Sequence, residues 1–165
     1  MDESPKRSLL ERLSSMLLRE PEDRGQLVEL LHGAFEKNLL DAEALSMIEG
    51  VMQVSEMHAR DVMIPRSQMD MIDVEEEPDA FIPFVIETAH SRFPVYEGAR
   101  DQIIGILMAK DLLKLQRAPE LNIRALLRPA VFVPESKGLN DLLRDFRANR
   151  NHLAIVIDEF GNTAG

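Results

Sequence analysis

From Ser8 onward, Leu9, Leu10, Leu13, Met16 and Leu17 recur at the i, i+1, i+4, i+7, i+8 spacing of a helix with one apolar stripe. Arg19-Glu20-Pro21 ends that helix, because the residue before a proline is pushed out of the α region. A second helix is predicted over residues 22–37, with Leu27, Leu30, Leu31 and Ala34 on one side. A third follows Asp41, a good N-cap, and carries Leu45, Ile48, Val51, Met52 and Met57. Membrane-surface helices carry a strongly basic polar face, whereas the first helix mixes Glu11 with Arg12 and Arg19. Its stripe is therefore read as packing within its own bundle. Residues 1–57 form a helical arm in this reading, with residues 1–7 polar and disordered.

Beyond the arm the apolar period switches between strand and helix, and the same order of switches occurs twice. Sliding the chain against itself pairs Gly105 with Gly165, an offset of 165 − 105 = 60. Each copy starts with a short strand, at residues 69–74 and 130–133. A helix follows, at residues 79–89 and 139–149. Leu139, Leu142, Leu143 and Phe146 fall at i, i+3, i+4, i+7, and Pro83 is placed in the first turn of its helix. A strand at residues 93–96 or 153–157 then enters a polar turn, residues 97–101 or 158–162, and returns as another strand. Only the first copy continues into a closing helix, residues 110–116. The second stops at Gly165, before its last strand is expected, so an open edge and an uncovered apolar face are predicted. The fold class is α+β: short N-terminal helices, then a tandem β-α-β-β-α pair with copies at residues 58–124 and 125–165, the second incomplete. A unit of about 60 residues hides too little apolar surface alone, so the two copies should pack sheet to sheet.

Composition narrows the function. With 19 basic and 29 acidic residues the net charge is −10, which disfavours a nucleic-acid partner. No cysteine is present, which excludes disulfides, thiolate catalysis and cysteine-based zinc sites. No apolar run approaches the roughly 20 residues that span a bilayer, and the start has no secretory leader. A soluble, cytoplasmic chain without direct membrane insertion is the expectation. His32, His58, His90 and His152 are scattered with no pair at metal-binding spacing. Glu75-Glu76-Glu77 and Asp79 read as an exposed loop ahead of a helix. No Ser-His-Asp, P-loop or carboxylate-pair signature occurs, so the chain does not read as an enzyme. One residue stands out. Asp111 opens a helix a few residues past Gly105 in a strand, a place from which a carboxylate can accept two sugar hydroxyls beside a helix N-terminus that favours phosphate.

The tandem unit with its Gly-x-x-x-x-x-Asp junction resembles the paired CBS motifs of a Bateman module. More specifically, five strings in order resemble the CorC-type magnesium and cobalt efflux family. They are Arg60-Asp-Val-Met-Ile-Pro-Arg-Ser-Gln68, Ala89-His-Ser-Arg-Phe-Pro-Val95, Gly105-Ile-Leu-Met-Ala-Lys-Asp111, Val133-Pro-Glu-Ser136 and His152-Leu-Ala-Ile-Val-Ile-Asp-Glu-Phe-Gly161. The resemblance implies a regulatory module that binds AMP or ATP, with or without magnesium, between its two motifs. It further implies a homodimer and a membrane-transporter partner. The family's flavin-enzyme-like C-terminal domain has no counterpart in these residues, so no flavin is expected.

By the same resemblance, Pro65, Met69 and Asp70 lie along the adenine. Ser91, Arg92, Phe93 and Pro94 line the cleft, with Arg92 as a phosphate contact. Asn151 and His152 take the places of Ser91 and Arg92 in the second copy. Asp111 is the ribose candidate of the first, weakened because Met108 stands where CBS motifs often carry a hydroxyl. The rival reading is a non-catalytic interaction or dimerisation scaffold with no bound nucleotide, whose N-terminal helices recruit a partner.

Overall fold

A computed structural model describes residues 21–165; the apolar stripe at residues 9–17 and the polar residues before it lie outside that range. The chain divides into two compact units, Met1–Gln53 and Val54–Gly165. In the first, helix α1 (Arg24–Glu36) starts where the Asp23 carboxylate accepts the Gln26 N–H at 2.8 Å. Asn38, with φ of 57°, turns the chain. The Asp41 carboxylate then accepts the Ala44 N–H at 2.7 Å to open α2 (Ala42–Val54). His32 and Glu49 join the two helices at 2.9 Å. Met57, expected on α2, lies past its end.

The second unit begins with a one-turn helix, α3 (Ala59–Val62), followed by the two repeats. The first contains β1 (Ile72–Asp73), α4 (Pro78–Thr88), β2 (Arg92–Glu97), β3 (Ala99–Met108) and a tight 3₁₀ segment, Ala109–Gln116. The second contains β4 (Phe132–Pro134), α5 (Leu139–Asn149) and β5 (Ile155–Ile157). In the first repeat the sheet order is β1-β2-β3, with β1 parallel to β2 and β3 antiparallel. In the second, β4 runs parallel to β5. The return that was not expected to form begins at Thr163, which bridges Ile157, while the Val156 N–H donates to the Gly165 carbonyl at 2.8 Å. Two further boundaries differ from the sequence expectation. Gly98, with φ of 71°, makes so sharp a reversal that β3 starts at Ala99, taking in residues assigned to the turn. Pro83 is the sixth residue of α4 and lies inside it, where its ring removes the bond to the Asp79 carbonyl; Asp79 is exposed and water can serve that carbonyl.

The repeat register also needs correction. Ile72 pairs with Val95 as Val133 pairs with Val156. The helices start at Pro78 and Leu139 and end at left-handed Ala89 and Arg150, each with φ of 54°. All these matches stand 61 apart. The offset returns to 60 past the turn, where Ile103 opposite Tyr96 matches Thr163 opposite Ile157, because residues 97–102 of the first hairpin are one more than residues 158–162 of the second. Structurally, then, Ser91 matches His152 and Arg92 matches Leu153, one place on from the sequence alignment.

Each repeat is covered by the segment that leads into the other. Ala59, with Met63, packs into the second repeat against Val133, Val156 and Leu142. Its backbone is fixed there by Ala59 N–H to Lys137 O at 2.8 Å and Leu139 N–H to Met57 O at 3.0 Å. Conversely, Ile123 and Leu126 pack into the first repeat against Phe93, Val95 and Leu107. Arg128 exchanges backbone bonds with Ile106 at 2.8 and 2.9 Å. Both covers approach a glycine. A Cβ on Gly105 would stand 3.0 Å from Arg128 O, and one on Gly165 would stand 2.6 Å from Ile64 O. Phe93, Ile72, Leu107, Ile155 and Val95 are fully buried, each contributing roughly 1.5–3 kcal/mol.

Candidate functional site

This exchange leaves a cavity of about 560 Å³ bordered by both repeats and by the first lead-in segment. The strand entries supply its polar wall: Met69 and Asp70 before β1, and His90, Ser91 and Arg92 at the junction of α4 and β2. They sit there because left-handed Ala89 ends α4 abruptly and sends His90 and Ser91 along the cleft before β2 begins to pair with β3 at Arg92. His152 reaches the same cavity from the matching corner of the second repeat. The remaining wall is apolar and includes Val62, Ile64, Leu142, Phe146 and Leu153.

Inside this wall Asp70 is the one lining carboxylate, and its Oδ2 lies 2.9 Å from His90 Nε2. The His90 ring also rests against Phe93, with centroids 5.9 Å apart. Arg92 is half-buried and has no ion-pair partner among the described residues, so its guanidinium is available to an anion. A cavity of this size lies within the range of about 300–1,000 Å³ typical of small-molecule sites. Its chemistry suits a ligand with an apolar or aromatic body and an anionic end. Among the described residues no cluster of three or more metal-ligating side chains occurs.

Of the residues expected in a site, Met69, Asp70, Ser91, Arg92, Pro94 and His152 come together in the cavity lining. Pro65 is exposed between Ile64 and the 3₁₀ turn Arg66–Gln68 and does not line it. Phe93 is wholly buried in the first repeat's core, because side chains alternate along β2 and its own points inward. Asn151 is half-buried beyond the rim and donates its N–H to Phe146 O at 3.0 Å. Asp111 lies elsewhere. One carboxylate oxygen is 3.0 Å from Lys114 Nζ and the other 3.1 Å from Arg128 Nη2, with the residue only 6% exposed. Lys114 above all, and Arg128 with it, hold the Asp111 carboxyl below the usual range against the opposing effect of burial.

Sequence reasoning missed His90, Ile64 and the run Leu153–Val156. The corrected offset of 61 would have found that run, since it matches residues 92–95. Nothing local marks Ile64, whose place depends on the exchanged cover.

Comparison with known proteins adds to this geometry. A sequence profile described as the N-terminal region of NMB0537 matches residues 19–54. The chain is 46% identical, over 99% of its length, to the magnesium and cobalt efflux protein CorC of Vibrio cholerae, and 44% identical over 93% to that of Escherichia coli K12. It spans 57% and 53% of those relatives, a little over half their length. A solved domain of unknown function from Neisseria meningitidis MC58 matches with a TM-score of 0.78 at 46% identity, over 86% of this chain and 92% of that one. The CBS domain of a bacterial CNNM/CorC family Mg²⁺ transporter matches with a TM-score of 0.77 at 33% identity, over 87% of this chain and 88% of that one. The chain belongs to the CNNM/CorC family. Its second unit is accordingly a CBS pair. A family CBS domain solved in complex with ATP matches at 35% identity and a TM-score of 0.66, over 72% of this chain and 86% of that one.

Proposed function

We propose that this chain is the nucleotide-responsive module of a protein serving magnesium and cobalt efflux, and that it binds AMP or ATP in the cavity between its repeats. The observation that carries the reading is the convergence of Arg92, His90 and His152 from two repeats on one apolar-walled cavity. In this reading the adenine lies against Met69 and the apolar wall, and Arg92 meets phosphate. The ATP complex of a family CBS domain supports it. A nucleotide bridging two repeats shifts their arrangement only by binding one arrangement better than another. The role is regulatory and cytoplasmic, with no catalysis. A membrane transporter is the partner, and no helix among the described residues is long and apolar enough to cross a bilayer. The division into an arm at residues 1–57 and motifs at 58–124 and 125–165 belongs to the same proposal. So does a homodimer, for which the groove lined by Ile82, Ile86, Leu112 and Leu113 offers an apolar face; sedimentation at micromolar concentration tests it.

Calorimetric titration with AMP, ATP and Mg-ATP tests binding. Heat with a submillimolar Kd is expected, weakened roughly tenfold or more by Arg92→Ala, since a hydrogen bond to a charged group contributes about 1.5–3 kcal/mol. No heat at millimolar ligand from folded protein refutes the proposal. The second reading, a scaffold without nucleotide, draws on the mostly apolar wall and on Met108, which offers no hydroxyl. It predicts instead that a partner is lost when residues 1–57 are removed while the titration stays flat.

A further inference from the structure

A smaller cavity of about 310 Å³, lined by Asp73, Glu76, Tyr96 and Arg100, adjoins the larger one at the entry to β1. Met69 and Asp70 border both cavities, so these two residues form the wall between them. Two long-range side-chain bonds meet on that wall. From the larger cavity, His90 Nε2 meets Asp70 Oδ2 at 2.9 Å. From behind, Arg100 Nη2 donates to the Met69 carbonyl at 3.1 Å. Arg100 itself does not line the larger cavity. It reaches Met69 because the reversal at Gly98 starts β3 at Ala99, and its guanidinium lies over the Tyr96 ring, 5.7 Å from the centroid. A planar guanidinium keeps such a stacked position while its edge donates hydrogen bonds. Tyr96 in turn is fixed between Asp73 of β1 and Ile103 of β3.

We infer that Arg100 is a positioning residue: from outside the larger cavity it fixes Met69 and Asp70 as the surface on which the base of a nucleotide rests. The inference rests on the proposed nucleotide function and adds to it what holds the base end of the site. The two ends of the ligand then depend on different groups. Arg92 serves the phosphate end directly, and Arg100 serves the base end through the Met69 carbonyl. Without Arg100 that carbonyl is released and the wall samples more positions. A ligand must then order the wall as it binds, at a cost in affinity. His90 and Asp70 both face the larger cavity, so changing either alters ligand contacts as well as the tie. Arg100 isolates the positioning effect.

The test is Arg100→Ala, which removes the tie, with Arg100→Lys as a second variant that keeps a donor but loses the planar stack. Arg100 is exposed, so circular dichroism and Tm should be nearly unchanged in both. Amide exchange without ligand is expected to be faster at residues 69–72 of Arg100→Ala than of the wild type. In calorimetric titration the Kd for AMP and for ATP should rise roughly two- to tenfold, as loss of one hydrogen bond implies. The Kd for inorganic triphosphate should stay where it is, and Arg100→Lys should fall between wild type and Arg100→Ala for AMP. Unchanged exchange at residues 69–72 would overturn the inference. So would an unchanged affinity for AMP, or an equal loss for AMP and triphosphate, which a merely structural role produces. If the wild type binds no adenine ligand while exchange still rises in Arg100→Ala, the nucleotide reading fails and the hold of Arg100 on the wall stands.

Discussion

Replacing Asp111 with Asn keeps the size of the side chain and removes its charge, and the consequence can be worked from the site. The carboxylate is almost fully buried and accepts from Lys114 at 3.0 Å and Arg128 at 3.1 Å. Each bond to a charged group contributes about 1.5–3 kcal/mol where it is made. Both cations are more than half exposed and recover water when the anion is gone, so no buried charge is stranded and the loss falls below the summed range of about 3–6 kcal/mol. About 2 kcal/mol is expected, which for a unit of this size lowers Tm by roughly 8 °C. The pH dependence follows from the direction of the shift. A carboxyl held below its unfolded value of about 3.9 adds stability above that pH, and loses it as pH falls toward the folded value. Thermal melts of wild type and Asp111→Asn should thus differ by a constant amount between pH 7 and 5 and converge below about pH 4. Equal Tm values at pH 7, or a gap that does not change with pH, would refute the account.

Other expectations test the packing. Gly105→Ala places a methyl group 3.0 Å from Arg128 O and Leu127 Cβ, so the cover must lift; urea unfolding should show a loss of about 1–3 kcal/mol. Phe93→Ala empties the centre of the first repeat and should cost about 3–5 kcal/mol. Phe160→Ala, at a hairpin tip where the ring is 81% exposed, should stay within about 0.5 kcal/mol in the same assay. Arg92→Ala should leave Tm nearly unchanged while weakening nucleotide heat, which separates a binding role from a structural one.

Local signals carried most of the fold. The helices at residues 24–36 and 42–54, the caps at Asp23 and Asp41 and the repeated strand-helix-strand order are short-range features, and they appear where the apolar spacing puts them. What could not be read is long-range. Residues 59–63 are followed in sequence by the first repeat but complete the second, and residues 123–128 do the reverse. No local pattern distinguishes a lead-in that covers its own repeat from one that covers its neighbour, since both carry apolar residues at matching positions, Ala59 and Met63 in one and Ile123 and Leu127 in the other. Phe93 was misplaced for a related reason. A ring beside Arg92 suggests a base-stacking wall, yet in a strand successive side chains face opposite ways, and only pairing fixes which way is in.

The one-residue change in register alters the chemistry of the cleft as well as its geometry. At an offset of 60, His152 takes the place of Arg92 and Asn151 that of Ser91. At 61, Arg92 is matched by Leu153 and Ser91 by His152, so each polar group of one corner stands opposite an unlike group of the other. The lead-in segments repeat the contrast, with Ile64 on one side and Arg128 on the other. A cavity with matched cations would accept an anion in two equivalent orientations. This one is lined by one guanidinium, Arg92 of the first repeat, and on the second repeat by His152 and apolar surface. An asymmetric ligand with an aromatic body and an anionic end would find a guanidinium for that end on the first repeat alone.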